Sequence, residues 1–236
     1  MKKTYISFDL ETTGLNEEKD YIIEIGAVKV KDGKVIDRFA RFLKPPVSIS
    51  STITNLTGIT NEMVKNAGDT KETIKDFITF CDGYVLLGHN IQFDYKFIKT
   101  YAVHYGFSFE KEGIDTLKIA RKVHKDLESK SLENLCSYYH IINASAHRAY
   151  HDALATAKIY HMLAHDFEEK FPTLFTPAPL CYKPKKVQKI TKKQLDYLRS
   201  LMNYHSLIEE ANLDSLTRSE ASKIIDGIIF KYGYMR

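Results

Sequence analysis

Four carboxylates and one histidine carry the chemistry this sequence could do. Asp9 and Glu11 stand two apart at the end of the apolar, β-prone run that begins at Tyr5, so on a strand both side chains leave one face. Two carboxylates held together repel unless a cation offsets them, so the pair is either a solvated strand face or part of a metal site. Asp94 lies in His89-Asn90-Ile91-Gln92-Phe93-Asp94, just after a compact apolar strand. A strand end leading into a helix is a common place for a functional group in an α/β sheet. Its alternative is a charge in the first turn of that helix. His147 and Asp152 lie five apart, about 140° around a continuous helix. To act together, His147 must sit in the loop before the helix and Asp152 in its first turns. From a loop, a histidine can swing and serve as a general base near neutral pH; otherwise it is a surface residue.

Taken in order, Asp9-x-Glu11, His89-Asn90-x-x-Phe93-Asp94 and His147-x4-Asp152 resemble the three motifs of the DEDDh (DnaQ-like) 3′–5′ exonucleases. Phe8-Asp9-Leu10-Glu11-Thr12-Thr13-Gly14-Leu15 is similar to the whole first motif. Leu56-Thr57-Gly58-Ile59-Thr60 is similar to a substrate-contacting segment. The resemblance covers residues 3–170, and the motifs are similar to those of the proofreading epsilon subunit of DNA polymerase III and the proofreading domain of PolC. It implies a ribonuclease H-like fold and two divalent cations, Mg²⁺ or Mn²⁺, held by Asp9, Glu11, Asp94 and Asp152. Such hard cations suit oxygen ligands. His147 is implied as the general base. Thr12, Thr13, Gly14, Leu15, Ile59 and Asn90 are implied as contacts to the terminal nucleotide. The implied reaction is release of nucleoside 5′-monophosphates from single-stranded 3′ ends, with DNA favoured. The alternatives are an exoribonuclease that trims RNA, or a catalytically silent nucleic-acid-binding scaffold.

These residues need elements to position them. Tyr5–Leu10, Tyr21–Val30 and Lys34–Leu43 read as an antiparallel meander, with Asp32-Gly33 as a hairpin turn. Helical spacing then appears over Thr70–Cys81, and the pattern alternates. Tyr84–Leu87 is a strand, Phe93–Tyr105 a helix, Gly113–Asp115 a strand and Thr116–Val123 a helix. Ser131–Tyr139 and Ala149–Glu169 complete the helices of this part. This is an α/β domain, a mixed five-stranded sheet flanked by helices, over residues 1–170. Pro172, Pro177, Pro179 and Pro184 with a lysine run mark a linker over 171–190. The segment 191–236 forms a small helical appendage. In it Thr191-x-x-Gln194 and Thr217-x-x-Glu220 fit the capping box.

Composition narrows the class. At 236 residues, 44% hydrophobic and 27% charged, the chain is globular rather than disordered. No apolar run approaches the ~20 residues of a membrane span. Cys81, Cys136 and Cys181 are odd in number and scattered, which predicts free thiols in a cytoplasmic protein. The net charge is +4, unevenly placed: residues 1–180 hold 23 basic and 24 acidic groups, and 181–236 hold 11 and 6. Lys183, Lys185, Lys186 and Lys189 are therefore candidate contacts to a phosphate backbone, against a solvated linker as the alternative. The helical appendage is a candidate docking site for a polymerase or another protein.

Overall fold

The structure is a computed structural model that describes residues 2–143, 146–185, 188–207 and 213–235. The meander forms as β1 (Tyr5–Thr12), β2 (Ile22–Lys31) and β3 (Lys34–Phe42). Strands β4 (Leu86–Gly88) and β5 (Glu112–Asp115) then add in parallel beyond β1. The strand order is β3-β2-β1-β4-β5-β6, six strands rather than the five expected. The sixth, β6 (Ala178–Pro179), pairs antiparallel with β5 in the proline-rich stretch. Two residues show no alternation to read, and Pro179 is tolerated because the strand is at the sheet edge. A 3₁₀ turn over Pro172–Phe175 precedes it.

Helices α1 (Ser51–Thr57) and α2 (Asn61–Val64) are too short to announce themselves by periodicity. Helices α3 (Thr70–Phe80) and α4 (Ile91–His104) cover one face of the sheet. The other face carries α5 (Thr116–Val123), α6 (Leu132–Tyr138) and α7 (Ala149–Phe167). Strand alternation sorts β1 between these layers. Ile6, Phe8 and Leu10 join the core with Phe77, Tyr95 and Phe97, whereas Tyr5 packs with Ile159, Tyr160 and Leu163 of α7. Asp9 and Glu11 share the parity of Tyr5, so they look toward α7.

By compactness the chain divides into Met1–Lys44 with Ile49–Pro184, and Lys185–Arg236 with Pro45–Ser48. In the second unit, α8 (Lys192–Tyr204) and α9 (Arg218–Tyr232) both begin with the expected capping boxes. The two helices run parallel: Gln194 Nε2 donates to Arg218 O (3.2 Å) at one end, and His205 Nε2 meets Gly233 O (3.0 Å) at the other. Leu198, Leu201, Leu213, Leu216 and Ile228 form its core. Among the described residues, no helix is long and apolar enough to cross a membrane.

Candidate active site

The site is assembled where the first turn of α7 crosses the central strands. Asp9 pairs with Gly26 of β2 and Glu11 with Glu24, so these four residues form two adjacent rows on the α7 face. Gly26 has no side chain for a reason: a Cβ there would lie 2.0 Å from Tyr150 N and 2.1 Å from Ala149 C. The start of α7 therefore rests directly on the strand. Ser7 Oγ adds a tie to Ala153 O at 2.7 Å. With α7 seated this way, one carboxylate oxygen each from Asp9, Glu11 and Asp152 lie within 4.8 Å of one another.

Asp152 stands in the first turn of α7 and His147 in the turn before it, the arrangement their spacing requires. His147 is exposed and its backbone is left-handed, with φ 62°. That conformation aims its backbone N–H at Asp152 Oδ2 (2.9 Å), while Asn143 Nδ2 donates to Oδ1 (2.5 Å). Both oxygens of Asp152 are thus oriented. Asp94, in the first turn of α4, is buried and accepts the backbone N–H of Leu10 at 3.1 Å. It lies beside the trio rather than within it. A cleft of about 740 Å³ opens over Asp9, Glu11, His147 and Asp152, with His89 on its wall.

Electrostatically the site is under-neutralised. Burial pushes the Asp9 carboxyl well above the usual carboxylate range, and the charges of Asp94, Glu11 and Asp152 add to the shift. Glu11 is raised to about 8 by burial, then by Asp152 and Glu24, with Arg148 opposing. Asp94 and Asp152 are raised too, mainly by burial. Oxygen donors that repel one another at this range form a cradle for a hard cation, and their chemistry fits divalent ions of the Mg²⁺ type.

The expected substrate residues fare differently. Thr12 Oγ1 donates to Gly14 O (2.6 Å), and Thr13 Oγ1 accepts from Tyr21 N (2.9 Å), so both hydroxyls are engaged in shaping the turn. Leu15 is 84% exposed at its tip. Asn90 takes a left-handed backbone, φ 68°, ahead of α4. Ile59 is fully buried with Ile23, Ile49 and Val64, which leaves its side chain no free surface for a base. Lys183, Lys185 and Lys189 are exposed; Lys186 lies outside the described residues. Among the described residues, only the Asp9 cluster groups three possible metal ligands.

Sequence reasoning missed Gly26, Glu24 and Arg148. An isolated glycine inside a strand is a signal of close backbone approach and pointed to the first. Nothing local signals the other two, because Glu24 and Arg148 meet across the fold.

This fold and carboxylate cluster define a ribonuclease H-like nuclease domain, and comparison with known proteins agrees. Residues 6–160 match the Exonuclease (RNase T) family model, and the chain belongs to that family. It is 42% identical over 165 residues to the PolC-type DNA polymerase III of Caldanaerobacter subterraneus subsp. tengcongensis, covering 70% of this chain and 12% of that protein. The PolC-type polymerase of Bacillus subtilis is 38% identical over 174 residues, covering 72% and 12%. The chain thus spans about an eighth of the length of these relatives. Among solved structures, E. coli exonuclease I in complex with a dT13 oligonucleotide aligns with a TM-score of 0.63 at 18% identity, over 88% of this chain and 46% of that one. Exonuclease X in complex with 5′ overhanging duplex DNA aligns at 0.57 and 24% identity, over 73% and 99%. A 3′-exonuclease bound to a histone mRNA stem-loop aligns at 0.60 and 19%, over 70% and 83%.

Proposed function

We propose that this domain removes nucleotides one at a time from single-stranded 3′ ends of DNA, by metal-assisted hydrolysis. The observation that carries this reading is the convergence of Asp9, Glu11 and Asp152 within 4.8 Å at the floor of a cleft that His147 also lines. Asp9, Glu11, Asp94 and Asp152 would hold two divalent cations, Mg²⁺ or Mn²⁺. When bound, such a pair supplies an activated water and charge stabilisation for an in-line displacement. His147, exposed at the mouth of the cleft, takes the proton from the attacking water. The water oxygen bonds to phosphorus, the bond from phosphorus to the 3′ oxygen breaks, that oxygen takes up a proton from solvent as the new 3′-hydroxyl, and a nucleoside 5′-monophosphate leaves. The turn Thr12–Leu15, which follows Glu11, and Asn90, four residues before Asp94, are assigned to the terminal nucleotide.

DNA is preferred over RNA because relatives 42% and 38% identical to this chain are named as DNA polymerases. The structural neighbour on histone mRNA keeps RNA as the second reading. Lys183, Lys185, Lys186 and Lys189 are assigned a sequence-independent hold on the backbone. The unit that follows residue 184 is assigned to docking on a polymerase or another protein. We place the protein in the cytoplasm, where its free Cys81, Cys136 and Cys181 stay reduced.

The test is nucleotide release from 5′-labelled single-stranded DNA, duplex DNA and single-stranded RNA, followed as stepwise shortening of the labelled strand, with Mn²⁺ or Mg²⁺ against EDTA. Metal-dependent release from single-stranded DNA supports the proposal. Faster release from RNA transfers it to the second reading, and no release from any strand overturns it.

A further inference from the structure

The row that begins at Glu11 continues across the sheet to Glu24 on β2 and Phe42 on β3. Glu24 is 3% exposed, an unusual place for a carboxylate beside another carboxylate. Arg148 lies over this row. Its Nη2 donates to Glu24 Oε1 (2.8 Å) and its Nε to Oε2 (3.1 Å), a two-pronged ion pair. The guanidinium also stacks on the Phe42 ring, 5.3 Å from its centroid. Glu24 Oε2 accepts one further bond, from Ala149 N (3.1 Å), at the first residue of α7.

Glu24 therefore grips two consecutive residues, Arg148 by its side chain and Ala149 by its backbone. The residue before them is His147, in its left-handed conformation. A histidine held at positive φ by local forces alone is sparsely populated; the clamp on 148 and 149 fixes the direction in which the chain leaves it. We propose that Glu24 and Arg148 are a positioning pair that holds His147 over the carboxylate cluster. The proposal rests on the exonuclease reading, in which His147 is the base. The pair also explains its own burial. Arg148 offsets part of the charge of Glu24, so the carboxylate steadies the loop with less repulsion toward Glu11 than an unpaired one would bring.

Glu24→Gln, Arg148→Gln and the charge-free double variant separate the possibilities, each made in the parent and in His147→Asn, which tolerates positive φ. Single-turnover rates on single-stranded DNA with Mn²⁺, KM and Mn²⁺ affinity are read on every protein. A positioning role lowers kcat by ~10–100-fold with KM and Mn²⁺ affinity little changed. It also makes the same substitutions nearly silent once His147 is gone, because the pair acts through that residue. Equal losses with and without His147 overturn the proposal in favour of plain structural support. A raised KM at constant kcat overturns it in favour of direct phosphate contact by Arg148. Should the singles fail to fold because one buried charge is left alone, the double variant gives the same readouts. Inactivity of the parent itself would count against the exonuclease reading, whereas an active parent with unaffected pair variants counts only against the clamp.

Discussion

Gly26 and Tyr150 touch backbone to backbone: a Cβ on Gly26 would lie 2.0 Å from Tyr150 N. This approach brings Asp152, two residues further along α7, into reach of Asp9 and Glu11. A methyl group at position 26 meets main chain on the facing side, which has no rotamer to give. Gly26→Ala is expected to destabilise the protein by about 3 kcal/mol and to displace Asp152, with loss of activity. Urea unfolding measures the first effect. A parent-like midpoint would show that α7 does not need this seat.

The carboxylate cluster holds charge that the protein alone does not offset. Asp9→Asn removes one member at constant shape, so it is expected to abolish turnover and at the same time raise the melting temperature in EDTA by about 2–4 °C. Calorimetry beside the nuclease assay checks both. A fall in melting temperature would mean that Asp9 has a stabilising partner after all.

Acidity should tune this effect in a defined direction. The Glu11 carboxyl is raised to about 8, and Asp9, Asp94 and Asp152 shift the same way. Such groups bind more protons in the folded state than in the unfolded one, so stability falls as pH climbs from the ordinary carboxylate range to about 8. Divalent cations take the place of those protons. Melting scans from pH 5 to 8.5 are expected to show a decline in EDTA and a Mn²⁺ stabilisation that grows with pH. A Mn²⁺ effect equal at pH 5.5 and pH 8 would contradict the assignment.

His147 lines the cleft, and its backbone N–H ties it to Asp152 Oδ2. His147→Asn, which preserves positive φ, is expected to lower turnover by ~10²–10⁴-fold while Mn²⁺ affinity and melting temperature stay put. Titration calorimetry with Mn²⁺ supplies the control, and unchanged turnover would remove His147 as the base.

The end of the catalytic unit can be located by truncation. Leu180 is buried against the sheet and Cys181 O accepts from Gln92 Nε2 at 3.0 Å. A chain ending at 184 is expected to keep activity, whereas one ending at 177 should lose ~2–5 kcal/mol with the Leu180 contacts. If the basic tail holds DNA, the 1–184 chain also shows weaker binding with a shallower salt dependence. Identical salt slopes would reduce the tail to a connector.

Much of this protein was legible locally. The β1 alternation put Asp9 and Glu11 on one face, the capping boxes at Thr191 and Thr217 marked α8 and α9, and the five-residue step from His147 to Asp152 already required a loop followed by a helix start. Motif resemblance supplied the activity to expect. These features live within a few residues, where backbone geometry alone decides them. The tertiary structure decided the rest. It placed Ile59 inside a cluster, turned Ala178–Pro179 into a sixth strand, and set Glu24 against Arg148, 124 residues away. Such pairings depend on which strands become neighbours and which face a helix covers. A single sequence carries no periodic trace of that choice, because the burial it earns comes from residues far along the chain.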